Sequence, residues 1–75
     1  MTAPAMTRAD HFEQLAALQL AAYNLGYTLT RDRDTGAYWL AWEHLAQPCL
    51  TLADVEAALQ PGSAWRALVA RVKAQ

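Results

Sequence analysis

The sequence predicts one small soluble α+β domain in which helices pack against a β-hairpin, in the order α-β-β-α-α. Three observations predict it. Residues 27–42 alternate apolar and polar side chains on both sides of an Asp34-Thr35-Gly36 turn. Stretches rich in Ala and Leu open at Thr7, Thr51 and Ser63, residue types that cap helix N-termini. Finally, 75 residues of which 55% are apolar suffice for one core and exclude intrinsic disorder.

A chain of this length buries only about 60–65% of its unfolded surface, so its core is marginal. The single cysteine, Cys49, excludes an internal disulfide. Dense packing or self-association must then supply the stability. Residues 1–6 read as a loose tail and residues 7–75 as the domain. The N-terminus lacks the basic and apolar regions of a signal peptide, and no apolar run is long enough to cross a bilayer. With a free thiol, this fits the cytoplasm and no membrane partner.

The first helix starts at Thr7-Arg8-Ala9-Asp10 and ends at Gly26, a residue suited to a left-handed C-terminal cap. Its apolar side chains, Phe12, Leu15, Ala16, Leu18, Leu20, Ala22 and Tyr23, sweep roughly 200° of the surface. That is wider than one sheet face requires, so a second helix or a partner chain should also pack on it. The strands follow. A loop of two or four residues pairs Tyr27 with Trp42, Leu29 with Leu40 and Arg31 with Tyr38. Those six side chains share the core face, and Thr28, Thr30, Asp32, Ala37, Trp39 and Ala41 share the other.

Pro48 argues against a central strand, so residues 43–50 read as a loop with a short extended piece at Cys49-Leu50. A two-stranded sheet is marginal alone, and a short third strand or pairing of two copies through an open edge would complete it. A short second helix then presents Leu52, Val55 and Leu59 on one side. After the Pro61-Gly62 break, a third helix carries Trp65, Leu68, Val69 and Val72 opposite Arg66 and Lys73.

No catalytic, cofactor-binding or metal-ligating residue is expected. Asp34-Thr35-Gly36 matches the tripeptide that carries the catalytic carboxylate of aspartic proteases, but that chemistry needs two carboxylates in a large cleft. The tripeptide stands where a hairpin turn is wanted anyway. His11, His44 and Cys49 are too few and too scattered for the four ligands of a structural zinc site. Only a site shared across a dimer would restore an enzyme reading, which ranks third.

The first-ranked expectation is a non-catalytic protein-interaction module. Its candidate surface is Trp39 with Thr28 and Thr30 on the second sheet face, joined by the charged hairpin tip at Arg31, Arg33 and Asp34. In size and general character the chain resembles some anti-CRISPR proteins, which implies an inhibitor or regulator carried by a phage or mobile element and acting on a protein partner. The likeness is one of character and not of motif. The second-ranked expectation is a small DNA-binding regulator. Residues 62–75 carry +3 through Arg66, Arg71 and Lys73 while the remainder carries −4, and residues 52–74 have the outline of a helix-turn-helix. The overall charge of −1 does not favour nucleic acid.

Overall fold

The computed structural model describes residues 8–75. Its elements are α1 (Arg8–Asn24), β1 (Thr28–Arg31), β2 (Tyr38–Trp42), β3 (Leu45–Cys49), α2 (Leu52–Leu59) and α3 (Ala64–Lys73). The tail expected over residues 1–6 and the cap expected at Thr7 lie outside the described residues. Among those residues, no helix is long and apolar enough to cross a membrane.

Local chemistry sets each boundary. Gly26, at φ 87°, closes α1: Tyr27 N–H donates to the Ala22 carbonyl at 2.8 Å and Gly26 N–H to the Tyr23 carbonyl at 2.9 Å. This pair of bonds is the Schellman arrangement, which needs a left-handed residue where Gly stands. Thr51 accepts from Asp54 N–H at 3.1 Å to start α2. Ser63 starts α3 by accepting from Arg66 N–H at 3.1 Å, and its own hydroxyl donates to the Ala58 carbonyl at 2.6 Å. That second bond ties the two helices together across the Pro61-Gly62 break.

The strands form an antiparallel sheet in the order β1-β2-β3. β1 and β2 adopt the expected even register, with Leu29 opposite Leu40, Thr30 opposite Trp39 and Arg31 opposite Tyr38. Their connection is a tight loop in which Asp32 N–H donates to the Ala37 carbonyl and Gly36 N–H to the Asp32 carbonyl, both at 2.8 Å.

Residues 43–50 differ from the expected loop. Leu45–Cys49 is a third strand, pairing Trp42 with Leu45, Leu40 with Gln47 and Tyr38 with Cys49. Pro48 is compatible with it because β3 is an edge strand, where a missing N–H faces water instead of a neighbour. The turn into β3 is Glu43-His44, with Glu43 at φ 53°, a left-handed conformation rarely held by a residue other than Gly, Asn or Asp. The other edge is blunted from outside: the Gln19 side-chain amide donates to the Leu29 carbonyl of β1 at 3.1 Å.

All three helices lie on one face of the sheet. The core joins Leu29, Tyr38, Leu40 and Cys49 from the strands with Leu15 and Ala22 of α1, Leu52, Val55, Ala58 and Leu59 of α2, and Trp65 and Val69 of α3. Trp65 is its largest fully buried side chain, meeting the Tyr27 ring edge-to-face at 5.7 Å. The Trp65 indole Nε1 is buried without a hydrogen-bond partner among the described residues. The wide apolar arc of α1 is divided by this packing. Leu15, Leu18 and Ala22 face the sheet and α2, whereas Phe12, Ala16, Leu20 and Tyr23 are exposed.

Candidate functional site

Alternation along β2 produces the candidate surface. Tyr38 and Leu40 point into the core, so Trp39 and Ala41 point the other way. Because the sheet is one layer with helices on one side only, nothing among the described residues covers this second face. Thr28, Thr30, Ala46 and Pro48 are exposed on it, and Ala41 is half-buried. Trp39 sits at its centre on the middle strand, directly opposed by Thr30 on β1 and Pro48 on β3, and is 38% exposed. Two small flanking side chains support the indole without enclosing it. The result is an aromatic patch bordered by hydroxyls, with no charged strand residue on this face: Arg31, the one charged residue of β1, belongs to the other parity.

The hairpin tip continues this surface. Asp32 Oδ1 accepts from Asp34 N–H at 2.8 Å and Thr35 Oγ1 accepts from Ala37 N–H at 3.2 Å. These bonds hold Arg33 and Asp34 outward and exposed. Asp34 therefore stands at a solvated turn, not in a cleft. Arg31 leans back along the sheet, with its guanidinium 6.0 Å from the Tyr38 ring centroid. It belongs to the core-side parity of β1, so of the six expected interface residues it is the one the register turns away from Trp39.

Cys49 is buried on the core face, and burial pushes its thiol pKa up. Its hydrogen bond with the Gln47 side chain pulls the other way, and Asp54 adds a further rise. A thiol that holds its proton is a poor nucleophile. His44 is exposed in the Glu43-His44 turn at the opposite end of β3, five residues and about 16 Å of strand away. His11 is instead joined to Tyr38: its Nε2 and the phenolic oxygen share a hydrogen bond of 2.9 Å, half-buried between α1 and β2. The sequence reading missed this contact. The available signal was position, since His11 lies on the same side of α1 as Leu15 and Leu18. Among the described residues no three His, Cys, Asp or Glu side chains gather as a metal site.

The three cations of α3 are separated by their partners. Arg66 donates from Nη1 to the Leu59 carbonyl at 3.3 Å, at the C-terminal end of α2. Lys73 places its ammonium 5.5 Å from the centroid of the Trp42 ring. Arg71 is exposed. Comparison of the chain with models of protein families, with curated proteins and with solved structures finds no match.

Proposed function

We propose that this chain is a non-catalytic protein-interaction module whose partner docks on the open face of the sheet around Trp39. The observation that carries the reading is a partly exposed tryptophan at the centre of the sheet face that no helix covers among the described residues. Aromatic anchors surrounded by small side chains are what interface hot spots are built from. Thr28 and Thr30 offer hydroxyls beside the ring, and Arg33 and Asp34 offer one charge of each sign at the adjacent tip. Regulation or inhibition of a larger protein, in the manner of small phage or mobile-element inhibitors, is a role this surface suits. The reduced thiol of Cys49 fits a cytoplasmic setting.

The nucleic-acid reading has less support. Arg66 bonds the Leu59 carbonyl at the end of α2 and the Lys73 ammonium lies against the Trp42 ring, so two of the three cations already make contacts within the chain. Three cations on one helix make few phosphate contacts in any case.

The test is affinity capture from host lysate with wild type and Trp39→Thr side by side, with circular dichroism confirming that both are folded. A partner captured by wild type and lost with Trp39→Thr supports the reading. Identical captured sets contradict it. In parallel, neutralising Arg66, Arg71 and Lys73 should leave the captured partner unchanged, and a salt-sensitive gel shift abolished by that neutralisation would favour the nucleic-acid reading instead.

A further inference from the structure

The exposed side of α1 is a second surface that folding leaves unexplained. Phe12 is 55% exposed, Leu20 62% and Tyr23 76%. With Ala9 and Ala16, which are also exposed, they fall within about 80° of one another around the helix. The charged residues of α1, Arg8, Asp10 and Glu13, all fall outside that arc. The stripe is continuous, uncharged and directed away from the core contacts of Leu15, Leu18 and Ala22.

We propose that a second copy of this chain covers the stripe, with α1 packed antiparallel against α1 of its partner about a two-fold axis close to residue 18. Area supports a stable pair. The three large side chains leave roughly 350 Å² of apolar surface in water per copy. Together with the alanines and flanking stems, pairing removes about 1,000 Å² in total, the lower bound of a specific interface. Size complementarity supports the antiparallel sense. It sets Phe12 against the partner's Tyr23, and the small Ala16 against the partner's Leu20, so each large residue meets a gap or a ring and the contact is self-complementary. Charge agrees as well. The last turn of α1 has no basic residue, and antiparallel pairing carries each Arg8 to the C-terminal end of the other helix, where a cation is favourable.

The experiment is sedimentation velocity of the full chain from micromolar to millimolar concentration. Wild type should pass from monomer to dimer, and Leu20→Glu should weaken the dimer roughly a hundred-fold while leaving the circular dichroism spectrum unchanged. Tyr23→Lys, at the most exposed position of the stripe, is the second variant and should do the same. Orientation is read from a short thiol crosslinker. Ala16→Cys should link two copies, whereas Ala9→Cys should not, because antiparallel pairing holds the two residues 9 roughly 25 Å apart. Wild type, with Cys49 buried, is the unreactive control. A monomer at every concentration, a dimer indifferent to both variants, or efficient linking through Ala9→Cys would overturn the proposal. The stripe and the Trp39 face lie on opposite sides of the sheet, so failure of one reading leaves the other standing.

Discussion

The two faces of the sheet are written by alternate residues of the same three strands, yet they have opposite fates. One carries Leu29, Tyr38, Leu40 and Cys49, buried under three helices together with Tyr27 just before β1; the other carries Thr28, Thr30, Trp39, Ala41, Ala46 and Pro48, with no cover among the described residues. A chain this small has helices enough for one face only. On the open face the strands present small or hydroxylated side chains, which tolerate water, with a single exception. Trp39 is the one large apolar side chain the described strands place there, and it keeps 38% of its surface exposed. The difference separates what the chain needs to fold from what it holds in reserve for a partner.

Substitutions should break the two faces unequally, and the covered one fails first. Trp65→Ala removes the largest buried side chain and should cost about 3–5 kcal/mol, comparable to the whole stability of a domain this size. Circular dichroism should then show an unfolded chain at ambient temperature. Leu40→Ala, the immediate neighbour of Trp39 but on the covered face, should cost about 2–4 kcal/mol by urea titration. Glu43→Asn should act in the opposite direction. It relieves the left-handed φ at the β2–β3 turn and should raise stability by about 0.5–1 kcal/mol, visible as a higher urea midpoint at unchanged slope.

The smallest expected effect concerns the Cys49 thiol under the helices. Its folded pKa is raised by burial, so below the ordinary thiol range it is neutral in both states and stability is unaffected. As pH climbs from that range toward the raised folded value, the unfolded chain ionises first and stability falls. Cys49→Ala should flatten that alkaline decline in a pH series of melting curves. A decline of the same slope in both proteins would mean that the thiol is not its source.

Much of the covered face was legible in the sequence, and the reasons are local. Strict alternation from Tyr27 to Arg31 and from Tyr38 to Trp42, with Gly36 in the turn, specifies a register that a one-residue slip would scramble. Thr51, Ser63 and Gly26 mark helix ends through bonds made within a few residues. A short third strand was expected to complete the sheet, but its position and extent were hidden because both usual signals are missing: the turn before it has Glu43 and His44 in place of Gly or Asn, and Pro48 interrupts the strand. Only its position at the edge makes that proline acceptable, and edge position is a property of the whole sheet. In α1 the same Ala and Leu types occur on both halves of the apolar arc, so the sequence marked an excess without saying which half would be left over. Polar His11 and Gln19 turned out to serve the fold, one bonding Tyr38 and the other the Leu29 carbonyl. The exposure of Trp39 was equally undecidable from its neighbours in sequence, because it depends on where all three helices settle.

Urea unfolding of Trp39→Thr, read beside Leu40→Ala, tests the division between the faces most directly. Thr preserves strand propensity, and Trp39 lies opposite Thr30 and Pro48 on the face without a helix among the described residues. The expected loss is about 1 kcal/mol, with an unchanged slope and a fold indistinguishable from wild type. A loss of about 3 kcal/mol or more, equal to that of Leu40→Ala, would place Trp39 among the residues that hold the domain together and remove the basis for an interaction surface there.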